Sequence, residues 1–360
     1  MRIAQVAPLY ESVPPATYGG TERVVSYLTE ALVDLGHEVT LFASGDSVTR
    51  ARLCPGSPEA LWKDPHCRET LPHHARQMSQ VFDDITRFDV IHFHTDYIHF
   101  PMLRQHPWPN ITTVHGALHP PDMGPLLELH RYEPLVSISD AQRRSIPEAN
   151  WIATVYHGLP RDLFGLHPEG GDYLAFLGRV APEKGVDHAI EIALRAGMPL
   201  KIAARIPPPH RDYYLEEIEP MLKRAGRSVE FLGELGGPDK EDFLGGAHAL
   251  LFPIDWEEPF GLVLIESLAC GTPVIGWRRG SVPELIEPGV TGFIVSSPDE
   301  AARAVEQVGT LDRATCRRVF EERFDVVRMT REYVDVYRMV ADAHHGRHAE
   351  TRLRVAAASA

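Results

Sequence analysis

Short apolar runs recur along the chain, each closed by proline, glycine or a polar residue and followed by a longer connection. Residues 2–7, ending at Pro8, predict a first strand, and 89–93, 111–114, 135–138 and 152–155 predict four more in the same half. Between the first two lies a helix opening at Thr21, with Val24, Leu28, Leu32 and Leu35 on one stripe, closed by Gly36 and followed by a strand at 37–43. The second half repeats the alternation, with strands at 173–177, 200–204, 229–232, 249–252 and 292–295. Its helices are predicted from Val186, over 213–224 with a break at Pro220, over 239–247, from Gly261, over 298–308 and over 326–343. Apolar strands spaced by helices predict parallel sheets covered on both faces, an α/β class whose ligands bind beyond the carboxyl ends of the strands.

Three stretches carry little pattern. Residues 44–80, with Pro55, Pro58, Pro65 and Pro72, predict an excursion over the surface without chemistry. Residues 159–172, rich in proline and glycine, predict an interdomain linker, and 344–360 a disordered tail. Ser281 followed by Glu284 has the spacing of a capping box, a purely structural feature.

The most informative stretch is 255–275. Pro259 biases Glu258 away from helical geometry, so Glu258 is expected in a loop, with a helix from about Gly261 that Gly271 and Pro273 stop. Within that helix Glu266 shares a stripe with Leu262, Ile265 and Ala269, which puts a carboxylate on the packed face. A buried carboxylate needs a partner: an internal cation or N–H, or a ligand with paired hydroxyls. The free N–H groups after Glu258, around Phe260, Gly261, Leu262 and Val263, can hold an anion. Carboxylates for hydroxyls beside amides for a phosphate suit a nucleotide sugar.

Glu258 and Glu266, separated by seven residues within EPFGLV…ACGTPVI, resemble the E-x7-E signature of the retaining family 4 (group 1) glycosyltransferases. The resemblance runs from Gly19-Gly20 to about Gly292-Phe293. It implies the GT-B fold, two Rossmann-like doubly wound parallel-sheet domains facing a central cleft. The domains would be 1–165 on the acceptor side, completed by the helix 326–343, and 172–325 for the nucleotide sugar. In such enzymes the glycines at Gly19 and Gly20 approach the donor diphosphate, and the GR…PEKG pattern supplies phosphate-clamping cations, here Arg179 and Lys184. His115, in TVHG at a strand end, would contact the donor sugar and aid the reacting centre, and Leu235 would lie against the base. Glu258 would take sugar hydroxyls and Glu266 those of the ribose. Read without the resemblance, a Gly-Gly pair is an ordinary turn, a lone histidine is structural, and Glu183 and Asp187 compensate the two cations.

Composition narrows the field. A chain of 360 residues, 44% hydrophobic, can bury a core in each of two lobes of about 150 residues. The net charge of −14 argues against a nucleic-acid partner. Cys54, Cys67, Cys270 and Cys316 show no C-x-x-C spacing, which points to reduced thiols and a cytoplasmic setting. No stretch has the apolar length of a membrane span. Arg131, Arg143 and Arg144 are read as solvated, with peripheral membrane contact through them left open. His92 and His94 share a strand face, but with 19 histidines in the chain and no third ligand specified, a hydrogen-bonded pair is preferred to a metal site.

The expectation is therefore a glycosyltransferase moving a sugar from a nucleotide diphosphate donor, UDP favoured by the resemblance, to a hydroxyl acceptor. No D-x-D motif stands at a strand end, so no metal cofactor is expected and a same-face, metal-independent transfer is preferred. A nucleotide-sugar epimerase of the same architecture would alter the donor without an acceptor, and a non-catalytic binding protein would hold nucleotide without turnover. Donor base and sugar, acceptor and oligomeric state are not legible in the sequence.

Overall fold

The computed structural model describes residues 1–17 and 19–358, with side chains as far as Gly346. The chain divides into two compact units. Unit 1 comprises Met1–Ile138, Arg143–Gly158 and the chain from Val326; unit 2 comprises Ser139–Gln142 and Leu159–Asp325.

Unit 1 is built on seven parallel strands: β1 (Arg2–Val6), β2 (Glu38–Ser44), β3 (Arg52–Ser57), β4 (Val90–Phe93), β5 (Asn110–Thr113), β6 (Leu135–Ser137) and β7 (Trp151–Thr154). Their spatial order is β3-β2-β1-β4-β5-β6-β7, with Ile3 opposite Val39 on one side and Val90 on the other. Covering both faces leaves β4 wholly buried, which is why its sequence is continuously apolar but for His92. One layer of the core joins Val6, Phe42, Ile91 and Phe93 to Met78 and Val81. Those last two come from the helix Leu71–Asp83, so the expected excursion at 44–80 is instead a strand and a core helix. The strand was hidden by Pro55 and Gly56; β3 is at the sheet edge, where a missing N–H is tolerated.

The C-terminal helix Val326–Ala358 belongs to unit 1, with Tyr333 and Tyr337 fully buried. The tail expected from His344 is helical as far as Ala358; the last two residues lie outside the described residues.

Unit 2 has six parallel strands: β8 (Leu174–Arg179), β9 (Leu200–Arg205), β10 (Val229–Gly233), β11 (Ala249–Phe252), β12 (Val274–Trp277) and β13 (Gly292–Val295), in the order β10-β9-β8-β11-β12-β13. The expected linker at 159–172 is a fastened strap. Arg317 donates to the carbonyls of Arg161 (2.6 Å), Phe164 (2.5 Å) and Ala269 (2.8 Å), and Arg313 to those of His167 (2.6 Å), Ala247 (2.9 Å) and Gly245 (2.7 Å). Both arginines lie on a helix absent from the sequence reading, Arg313–Arg323, which Asp312 caps by accepting from the N–H groups of Ala314 and Thr315.

Two further expectations change. The chain does not break at Pro220. The helical run continues through it, and a wide π turn over Tyr214–Ile218 lies immediately before the proline, where the ladder of bonds is loosened to accommodate it. The capping box does not form either. Ser281 donates to the carbonyl of Phe260 (2.6 Å), and Glu284 accepts from the N–H groups of Asp140 (2.8 Å) and Ala141 (2.6 Å).

Candidate functional site

The residues singled out in sequence fall in both units, and each unit has its own geometry. In unit 2 they gather on the loops leaving the carboxyl ends of β8, β10 and β11. The loop after β8 makes a 3-10 turn, Pro182–Lys184, and then passes Gly185 in the left-handed region at φ 70°. A Cβ on Gly185 would stand 2.1 Å from the carbonyl oxygen of Pro253, so only glycine lets this loop lie against the one after β11. The N–H of Asp255 donates to the carbonyl of Glu183 at 2.9 Å and completes the seam.

That seam joins Lys184 to Glu258. Lys184 Nζ donates to Glu258 Oε2, the same oxygen accepts from Trp256 Nε1 at 2.8 Å, and Nζ lies 4.9 Å from the centroid of the Trp256 ring. A second glycine holds the loop from behind. Gly280, at φ 49°, has Glu258 backbone atoms where its Cβ would be, and Ser281 N–H donates to the Glu258 carbonyl at 3.0 Å.

Arg179 donates to Glu183 at 2.8 Å, so the compensating role expected of Glu183 holds for Arg179 and not for Lys184. Its Nε is buried and meets no acceptor among the described residues. A buried donor left unmet costs about 1–3 kcal/mol, which an arriving anion would recover.

Glu266 is 3% exposed, as its place on the packed stripe of Leu262–Ala269 requires. Its partner is Lys240, from the helix Gly237–Gly245, whose Nζ donates to Oε1 at 2.5 Å. One half of the choice posed by the sequence is thus answered by an internal cation. Oε2 meets no donor among the described residues. The helix begins after Gly261, left-handed at φ 81°, and Gly261, Leu262 and Val263 are half-buried while Phe260 is buried beside Phe324. Leu235 is half-buried in the loop between β10 and the helix that carries Lys240.

In unit 1, Gly19 has φ 131°, and a Cβ there would meet Pro15 at 2.8 Å. It opens the helix Gly20–Asp34, whose first turn holds a residue the sequence reading passed over. Glu22 is buried, and burial pushes its carboxyl up to about 7. His115 stands just past β5, half-buried and closely surrounded, so burial pulls its imidazole down to about 3. His94 Nδ1 lies 2.8 Å from His115 Nε2, and the ring of His157 stacks on His115 at 5.3 Å. His92 and His94 are engaged by Tyr337, Thr113 and Gln5. Beside His115 a cavity of about 250 Å³ is lined by Tyr97, Phe100, Leu118, Met123 and Leu127, with Asp96 among its polar groups.

Lys240, Trp256, Glu22 and Gly280 were not singled out in sequence, and Gly185 entered only as the end of the PEKG pattern. Lys240, Gly185 and Gly280 matter through neighbours distant in the chain, and spacing reports only near ones. No helix among the described residues is long and apolar enough to cross a membrane.

Residues 18–162 match the model of glycosyltransferase family 4, and residues 164–321 that of the group 1 glycosyl transferases. The glycogen synthase of Mycobacterium tuberculosis is 26% identical over 365 residues, covering 87% of this chain and 86% of that protein. AviGT4, a glycosyltransferase involved in avilamycin A biosynthesis, superposes with a TM-score of 0.75 at 26% identity, covering 95% of this chain and 98% of its own. HepE of Anabaena, solved in complex with UDP and glucose, shares the fold with a TM-score of 0.74 at 18% identity, over 93% and 98% of the two chains. With a parallel-sheet α/β unit under each of the two matched models, the chain belongs to the family 4, group 1 glycosyltransferases of GT-B fold.

Proposed function

We propose that the protein transfers a sugar from a nucleoside diphosphate donor, with UDP as the favoured nucleotide, to a hydroxyl acceptor, keeping the anomeric configuration and using no metal. The observation that carries this reading is Glu266. Its charge is balanced at one oxygen by Lys240, and its second oxygen is unclaimed, on the packed face of the helix Leu262–Ala269. A ribose diol supplies the two donors such an oxygen can accept. The UDP held by HepE, which shares the fold, supports the choice of nucleotide.

When the bond between sugar and phosphate breaks, negative charge grows on the leaving diphosphate. Arg179, with its unmet Nε–H, Lys184, and the N–H groups around Gly261 to Val263 are the fixed positive groups assigned to it. Glu258, held by Lys184 and Trp256, accepts hydroxyls of the transferred sugar, and Leu235 packs on the base; in unit 1, His115 is assigned a substrate contact. Same-face transfer lets the departing phosphate take the acceptor's proton.

The acceptor is assigned to the cavity beside His115. Its aromatic and aliphatic wall favours a hydroxyl carried on an apolar body. Asp96, the one non-glycine residue with positive φ among those described (52°) and a carboxyl raised by burial, would orient that hydroxyl.

The test is a thermal-shift panel of nucleoside diphosphates, followed by transfer assays with the nucleotide that stabilises most. Glu266→Ala should weaken donor binding strongly and Glu258→Ala should chiefly slow turnover. Wild-type kinetics in both would defeat the assignment. Donor incubated without acceptor should stay unchanged; an epimer appearing there would favour the isomerase reading.

A further inference from the structure

A continuous line of hydrogen bonds runs through the interior of unit 1 and ends at His115. Tyr333 Oη lies 2.9 Å from Thr113 Oγ1, which lies 2.7 Å from His92 Nε2; His92 Nδ1 lies 2.8 Å from Tyr337 Oη. Gln5 Nε2 donates to Tyr337 Oη at 2.9 Å, Gln5 Oε1 lies 2.8 Å from His94 Nε2, and His94 Nδ1 lies 2.8 Å from His115 Nε2. Every group on this line but His115 is buried.

The direction of the line follows from Gln5. An amide oxygen only accepts, so the hydrogen between Gln5 and His94 sits on His94 Nε2. Burial holds His92 and His94 far below the range in which they would be charged, so each carries one ring hydrogen. His94 Nδ1 is therefore a bare acceptor, and the hydrogen between the two rings belongs to His115 Nε2. The other nitrogen of His115, Nδ1, is left with its lone pair, and it meets no partner among the described residues. Stacking on His157, at an interplanar angle of 16°, fixes the plane of the ring.

We propose that Gln5 and His94 are positioning residues that hold His115 as the Nε2–H tautomer, presenting its Nδ1 lone pair to accept a hydrogen bond from a substrate hydroxyl. The proposal rests on the reading of His115 as a substrate contact, and it adds which atom acts and in which sense. A polar core needs only that each buried group be satisfied. This one also ends at a half-exposed ring with one atom unused. Reversing the Gln5 amide would invert every hydrogen on the line and turn His115 Nδ1 into a donor, so the two polarities give opposite chemistry at the same place.

Heteronuclear NMR of the full chain with 15N-labelled histidine, with the His115 signals identified by their loss in His115→Gln, decides between them. The expected result is a hydrogen on Nε2 and none on Nδ1. A hydrogen on Nδ1, or an equal mixture, overturns the proposal, and this reading needs no activity. Gln5→Met removes the acceptor for His94 and should give mixed His115 tautomers, with kcat down about tenfold while KM for donor and acceptor stays within about twofold. An unchanged tautomer and an unchanged kcat in that variant would exclude Gln5 from the role. If His115→Gln itself transfers sugar like the wild type, the substrate contact assumed under the proposed function is wrong, whatever the tautomer.

Discussion

The two units solve the same problem in opposite ways. Both pack polar groups beside a parallel sheet, yet unit 1 buries neutral groups and unit 2 holds ions, most of them half-buried. In unit 1 the interior is histidine, tyrosine, threonine and glutamine in mutual hydrogen bonds. In unit 2 the buried Glu266 pairs with the half-buried Lys240, Lys184 and Glu258 form a half-buried pair, and two half-buried arginines spread over backbone carbonyls. A site for a charged diphosphate needs fixed charges, whereas a site that orients hydroxyls needs donors and acceptors of known sense. The contrast matches the diphosphate assigned to unit 2 and the acceptor hydroxyl assigned to unit 1, while the carboxylates of unit 2 also take donor hydroxyls.

Acid should separate the units most strongly. His92, His94, His99 and His157 are held well below their usual value of 6.5 by burial. Below 6.5 the unfolded chain binds protons that the folded unit refuses, so stability falls as pH falls, by about 1.4 kcal/mol per pH unit for each histidine. Hydrogen exchange read by mass spectrometry should show unit 1 peptides losing protection between pH 6.5 and 5 before those of unit 2. Simultaneous loss would erase the distinction.

Removing one ion of the unit 2 cluster should act on rate. Lys184→Met is expected to lower kcat by about 10²–10³-fold, with the melting temperature nearly kept. A small rate loss with a large stability loss would make the lysine structural. Arg313→Met should do the reverse, destabilising unit 2 by about 3 kcal/mol in denaturant titration, because it strips several carbonyls of their donor at once. The smallest effect belongs to Glu22. Its carboxyl is raised from 4.5 to about 7 by burial, so the folded state holds a proton the unfolded state has released, and stability falls as pH rises from 4.5 to 7. Glu22→Gln should therefore gain about 1–3 kcal/mol at pH 8 and little at pH 4. An equal change at both pH values would mean that the carboxylate is not desolvated.

What the sequence revealed follows the same physical lines. Strands and helices with apolar periodicity were legible within a residue or two, as for 2–7, 89–93 and 298–308. β3 was not, because an edge strand may carry Pro55 and still pair. The helix Arg313–Arg323 was not, because its buried face is narrow and its work is done by arginine side chains. Glu258 and Glu266 stood out because a carboxylate in an apolar or proline-bounded setting breaks a local rule. Lys240 breaks none, and only the fold brings it to Glu266; Trp256 breaks none either, although it stands two residues from Glu258. The capping box misled because its spacing was right, while Ser281 and Glu284 found partners distant in the chain.

The central claim is that the open oxygen of Glu266 grips a diol, and calorimetry on the wild-type protein tests it without any mutation. The nucleoside diphosphate that binds best would be compared with its 2′,3′-dideoxy counterpart, identical but for the two hydroxyls. Two hydrogen bonds to a charged acceptor predict binding weaker by about 10–100-fold for the dideoxy form. Equal affinity would mean that Glu266 is held by Lys240 for the fold alone and that the donor's ribose lies elsewhere.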